Sequence, residues 1–311
     1  MKTRAITIVV STLLLTGCPE NTSSSSGTVA TSSATTTAAA PSGDTSAGQA
    51  PKAPTGVLSE DDFKKLHTLK TDDAPKPKGK MITLSPRQGA AEGGADSKAY
   101  LSLPTNGEPP LPSVVVIHEW WGLNQHIKHW SDRLAEAGYA ALAVDLYGGE
   151  VATNPDDAMK LMKAVDPDAA LATLRSAFAH LGDTEAIKAT ERASIGWCFG
   201  GKWSLELALA EPELDAAVVY YGHVETSPER LSKLEAPLLA IFGNEDKGIP
   251  PKMVDRFEFG LEQAGTKRYT VKRYDAQHAF ANPSSDRYDQ KAASAAWSEV
   301  RAFLDKELRQ Q

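Results

Sequence analysis

The sequence predicts a single α/β domain built on a mostly parallel, doubly wound sheet flanked by helices. Short apolar or β-branched runs alternate along the chain with amphipathic stretches, the pattern of strands joined by helical crossovers. Several runs are continuously apolar, Val114-Val115-Val116-Ile117 and Leu238-Leu239-Ala240-Ile241-Phe242 among them, which suits strands covered on both faces. From Pro77 onward about 235 residues remain, enough to bury a sizeable core in one domain.

Read in order, the strands are expected at Tyr100–Leu103, Ser113–His118, Ala140–Asp145, Ala193–Trp197, Ala216–Tyr221, Leu238–Phe242 and Tyr269–Tyr274. Helical patterns fall between and after them, at Gln125–Ala137, Pro167–Leu181, Gly201–Ala210, Pro251–Ala264 and Tyr288–Leu308. In such sheets ligands bind beyond the carboxyl ends of the strands, so the loops that follow strands are where chemistry is sought.

The N-terminal quarter reads differently. Lys2 and Arg4 followed by the apolar stretch Ile6 to Leu15 form a targeting segment, residues 1–17, too short to span a bilayer. Leu15-Thr16-Gly17-Cys18 resembles a bacterial lipobox, in which Cys18 is acylated and becomes the mature N-terminus. Pro19 follows, not the acidic residue associated with inner-membrane retention, so the expectation is export and lipid anchoring to the cell envelope, the outer membrane being favoured. Residues 18–56 are rich in Ser, Thr, Ala, Gly and Pro and poor in large apolar groups, the composition of a flexible tether. Residues 57–76 carry a helix-start pattern around Ser59-Glu60-Asp61-Asp62 and read as a short docking arm before the domain at 77–311.

Net charge is −7, and −9 once Lys2 and Arg4 are removed. With no basic stripe or aromatic–basic interleaving, nucleic acid is not an expected partner. Oligomeric state is not legible.

The most informative residue is Cys198. It sits in Gly196-Trp197-Cys198-Phe199-Gly200-Gly201, between an apolar run and a helical stretch, the pattern of a nucleophile elbow with Cys in place of Ser. The chain has two cysteines, and Cys18 is accounted for by processing, so Cys198 has no disulfide partner. A thiol nucleophile needs a base, and the base an orienting acid. Downstream, Asn244-Glu245-Asp246 follows one strand with two carboxylates, and Asp275-Ala276-Gln277-His278 follows the last strand with a histidine. Nucleophile, acid, histidine is the chain order of α/β-hydrolases.

These segments, together with His118-Glu119-Trp120-Trp121-Gly122, Asp145-Leu146-Tyr147, His278-Ala279-Phe280 and the tail from Tyr288-Asp289 to Ala296-Trp297, resemble the dienelactone hydrolase family from about residue 80 onward. The resemblance implies that Cys198 attacks an ester or lactone carbonyl, that His278 serves as base and then acid, and that Asp246, in preference to Glu245, orients the imidazole. It implies an oxyanion hole made by the backbone N–H groups of Trp120 and Phe199, which would meet the charge of the tetrahedral intermediate. It assigns Glu119 to a gating carboxylate that restrains the resting thiol by like-charge repulsion. Trp121, Tyr147, Phe280 and Asn282 are expected at the substrate. Two arginines that hold a substrate carboxylate in the family are missing, since Gly148 and Gly149 stand at one position and Asn282 at the other. Neutral esters or lactones are therefore expected as the better substrates, with Arg287 as a neighbouring cation of unknown reach.

No metal and no organic cofactor is expected. His118, His126 and His129 read as surface helix and loop residues without a completing ligand. Two rival readings remain at the level of sequence: an acyltransferase using the same three residues, and a non-catalytic surface-binding module on the same fold.

Overall fold

The computed structural model describes residues 60–66, 76–86 and 96–309. The targeting segment, Cys18 and the tether lie outside the described residues, as does most of the expected arm.

An eight-stranded sheet runs in the order β1-β2-β4-β3-β5-β6-β7-β8. Its strands are β1 (Lys80–Leu84), β2 (Ser97–Ser102), β3 (Ser113–Ile117), β4 (Ala140–Val144), β5 (Arg192–Trp197), β6 (Ala216–Tyr220), β7 (Leu238–Gly243) and β8 (Tyr269–Tyr274). Contacts of β2 with β1 and with β4 are antiparallel, and every other pairing is parallel. Seven strands coincide with the expected ones, and β1 is additional. Its residues are largely exposed except Leu84, so it carries no apolar signal, and it forms by pairing along β2 at the sheet edge.

Parallel strands need covered faces, and β3 shows how this chain supplies them. Val115 and Ile117 join one apolar cluster while Val114 and Val116 join the other, and all four are fully buried. Each such side chain contributes roughly 1.5–3 kcal/mol on burial, so the continuous apolar run packs both layers at once. The helices are α1 (Glu60–Leu66), α2 (Gln125–Glu136), α3 (Pro155–Ala164), α4 (Pro167–Asp183), α5 (Phe199–Ala210), α6 (Pro228–Leu231), α7 (Pro251–Gln263) and α8 (Gln290–Arg309). Among the described residues, no helix is long and apolar enough to cross a membrane.

α3 was not expected, although its signals are present. Asn154 caps it by accepting from Asp157 N–H, Pro155 opens it, and Asp156 and Asp157 sit in its first turn. Ala158 is its one fully buried residue, and Leu161 and Met162, one turn on along the same face, pack half-buried against the core. α1, the described part of the expected arm, packs against α2. Phe63 is fully buried, edge-on to Trp130 of α2 at 4.5 Å, and Glu60 pairs with Arg133 at 2.8 Å and accepts from the Tyr288 hydroxyl at 2.9 Å.

The three histidines require a correction. His118, His126 and His129 are buried, not at the surface, because β3 ends in the core and α2 turns these residues inward. Among the described residues no cluster of His, Cys, Asp and Glu could hold a metal ion.

Candidate active site

Four loops at the carboxyl edge of the sheet converge: those after β3, β5, β7 and β8. At the end of β5 the chain turns through Cys198 into α5. Cys198 has φ 55° and ψ −115°, a conformation that side-chain-bearing residues avoid. It is held there by its N–H donating to Tyr220 O at 2.9 Å and by the close approach of its flanking glycines. A Cβ at Gly196 would strike Gly200 O, and one at Gly200 would strike the carbonyls of Ile117 and His118. The elbow is thus wedged directly against the end of β3.

Asp246, after β7, is buried and accepts three hydrogen bonds. Its Oδ1 takes Gly248 N–H at 2.7 Å and Ile249 N–H at 2.8 Å, and its Oδ2 meets His278 Nδ1 at 2.6 Å. Burial disfavours the carboxylate, but the histidine and these backbone donors outweigh it and hold the acid below its usual range. For His278 burial likewise disfavours the charged ring. Interaction with Asp246 and with Cys198 prevails and holds its pKa up to about 10. His278 is thus bonded to Asp246 and shares the cavity with Cys198, and Glu245 lines the same cavity without contacting the histidine.

Glu119, after β3, is buried beside them. Burial pushes its carboxyl up to about 7 against the opposing pull of His278, of Asn282 and of Arg287. Asn282 Nδ2 donates to its Oε2 at 2.5 Å, and His126 Nε2 lies 3.9 Å from the same oxygen. Sequence reasoning missed His126 and also Tyr221, whose ring sits 5.1 Å from His278 and whose charge environment includes Glu119 and Cys198. Tyr221 and Ala279 adopt positive φ of 36° and 62°, so unfavourable backbone gathers around this site. Neither position carries a sequence signature.

A cavity of about 600 Å³ opens over Cys198 and His278. Trp120, Trp121, Ala152 and Met162 line it on the apolar side, the last from α3, and Lys247 and Arg287 supply cations. Of the residues expected at the substrate, Trp121 and Asn282 line this cavity. Two other expectations are corrected. Phe280 is fully buried among Tyr220, Tyr221 and Tyr274 and does not line the cavity. Tyr147 packs on His118 at 4.6 Å and on Phe199 at 5.4 Å, behind the lining. Both aromatics are consumed in packing that supports the loops. Arg287 does reach the cavity, and its charge is felt at Glu119.

The model of the family described as "Dienelactone hydrolase family" matches residues 97–308, from β2 to the end of α8 and so across the whole site. The chain belongs to the dienelactone hydrolase family. A relative from Saccharolobus solfataricus, named "Putative carboxymethylenebutenolidase", is 32% identical over 248 residues, 68% of this chain and 94% of that protein. An Escherichia coli K12 protein of the same name is 30% identical over 225 residues, covering 67% and 81% of the two chains. The solved structure described as "Putative Dienelactone Hydrolase" of Klebsiella pneumoniae subsp. pneumoniae aligns with a TM-score of 0.62 at 26% identity. It covers 73% of this chain and 99% of that one. The α/β-hydrolase fold of this family is the one described above, a mostly parallel eight-stranded sheet with flanking helices.

Proposed function

We propose that the protein is a carboxylic ester or lactone hydrolase that works through a Cys198–His278–Asp246 triad and a thioester intermediate. The observation that carries this is the Asp246-bonded His278 facing the same cavity as Cys198, whose partly exposed thiol sits on a strained elbow. Cys198 sulfur, having passed its proton to His278, adds to the ester carbonyl, and the π pair moves onto oxygen. The N–H groups of Trp120 and Phe199 meet that oxyanion, for neither has a backbone or side-chain acceptor among the described residues apart from any within α5. On collapse the C–O bond breaks, and His278 gives its proton to the departing alkoxide. Water, deprotonated by His278, then attacks the thioester and releases the acid and the thiol.

The cavity also bears on substrate charge. The missing family arginines favoured neutral substrates on sequence grounds, but Arg287 and Lys247 face the cavity from its rim. They supply a place for a substrate carboxylate that Gly148 and Gly149, outside the lining, do not. Export and acylation at Cys18 belong to the same proposal and rest on Leu15-Thr16-Gly17-Cys18 and its charged, then apolar, lead.

Turnover of p-nitrophenyl acetate tests the reading. Cys198→Ala and His278→Ala should each lower kcat by several orders of magnitude in folded protein, and Asp246→Asn by less. Full activity in folded Cys198→Ala protein would overturn it. Product analysis with added alcohols or amines separates hydrolysis from acyl transfer, and no turnover above background would favour a binding module.

A further inference from the structure

We propose that His118 is a positioning residue for the oxyanion hole, orienting the peptide group that presents the Trp120 N–H; this rests on the hydrolase reading above. His118 does not itself line the cavity and is fully buried. Both ring nitrogens are nonetheless engaged. Leu146 N–H, which can only donate, points at Nε2 at 3.2 Å. Nε2 is therefore the acceptor, Nδ1 carries the proton, and Nδ1 donates to Glu119 O at 2.6 Å. Burial disfavours the charged ring, in keeping with a neutral imidazole of fixed tautomer.

The Glu119 carbonyl and the Trp120 N–H belong to one peptide unit. In a trans peptide the two point in opposite directions, so holding the oxygen aims the N–H. Gly122 N–H adds a second donor to the same oxygen at 3.2 Å. The imidazole also lies nearly parallel to the Phe199 ring, with centroids 5.5 Å apart and planes 17° from each other. The backbone carbonyl of His118 abuts Gly200, so no side chain separates this peptide from the start of α5. One side chain thus braces both halves of the proposed hole, the Glu119–Trp120 peptide by a hydrogen bond and Phe199 by its ring. The Leu146 contact ties that brace to the loop after β4.

The test compares a reaction that creates an oxyanion with one that does not. An aryl trifluoromethyl ketone accepts the Cys198 thiolate at its carbonyl; a C–S bond forms, the π pair becomes the alkoxide, and nothing leaves. Iodoacetamide alkylates the same sulfur at a saturated carbon and expels iodide, with no oxyanion. His118→Phe keeps the stacked ring and loses both hydrogen bonds, whereas His118→Asn keeps a donor near Glu119 O. His118→Phe should weaken ketone inhibition on the order of 100-fold and lower kcat on p-nitrophenyl acetate comparably, with KM and the iodoacetamide rate within about twofold of wild type. His118→Asn should recover part of the loss. Unchanged ketone affinity and kcat in His118→Phe would overturn the inference, as would loss of iodoacetamide reactivity in parallel with ketone binding in both variants. Ketone inhibition that is absent in wild type, or persists in Cys198→Ala, would instead overturn the hydrolase reading, and the role of His118 with it.

Discussion

At position 198 the backbone takes a φ of 55° with a side chain attached, and the thiol it carries shares a cavity with His278 and with the buried carboxyl of Glu119. That carboxyl, Glu119, invites a stability test with a definite sign. In the fold it keeps its proton to about 7, whereas in the unfolded chain it releases it near 4.5. Between those values the folded state binds the additional proton, so this group's contribution to stability falls as pH climbs through the window and stays lost above it. Glu119→Gln, which cannot ionise, should raise Tm by a few degrees at pH 8 and have little effect at pH 4; equal shifts at both pH values would remove the buried charge as the cause. Arg287 gives a second test. Arg287→Gln should raise KM for an ester bearing a carboxylate by on the order of five- to tenfold while leaving its neutral counterpart unchanged, as steady-state kinetics on the pair would reveal. Cys198, Asp246, His278 and Glu119 were legible because each follows an apolar run in a recognisable segment. Tyr221 and His126 were not, since one ends a strand, the other opens a helix, and nothing in their neighbours marks them as facing Glu119. Phe280 misled for the converse reason: a residue two positions beyond His278 reads as part of the site, yet its ring turns into the core.

Among the elements, those that carry the site were the most legible. β3, β5, β7 and β8 are compact strands whose carboxyl ends hold the functional loops, and α5 begins at Phe199, two residues before its pattern suggested, because the elbow passes directly into the helix. What escaped was exposed β1, which carries no apolar signal, and α3, a short helix whose cap and apolar face, Ala158, Leu161 and Met162, were both present in the sequence. α3 still matters, since Met162 closes one side of the cavity. α1 is a different case, lying outside the family match yet completing the core. Arg133 sits with its guanidinium 4.2 Å from the Phe63 ring and 4.5 Å from that of Trp297, and Glu60 is its carboxylate partner. Removing one partner of a buried pair leaves the other uncompensated, so Glu60→Ala should destabilise the fold by about 3 kcal/mol. Urea unfolding checks this. A midpoint equal to wild type would show that the arm is not held by the pair. Glu60→Gln, which keeps a hydrogen-bond acceptor, should lose less.

For the molecule as a whole, hydrophobic pattern and chain order were enough to reach the fold and its family, because a parallel sheet demands continuous apolar strands at regular intervals and this chain has them. Substrate charge was less accessible, since whether Arg287 reaches the cavity depends on how the loop after His278 folds, which residue spacing does not encode. The N-terminal proposal has its own check. Full-length protein from a bacterial host should partition into detergent and carry acyl groups on Cys18, and Cys18→Ala should do neither; a mature N-terminus at another, unmodified residue would refute anchoring. The central claim is the acyl-enzyme on Cys198, and acid quenching during p-nitrophenyl acetate turnover, followed by mass analysis of the peptide containing residue 198, tests it most directly. The account predicts one acetyl group on Cys198 in wild type and none on that peptide in Cys198→Ala, whose turnover falls to background. Sustained turnover with Cys198 unmodified, matched by equal activity in folded Cys198→Ala protein, would contradict it.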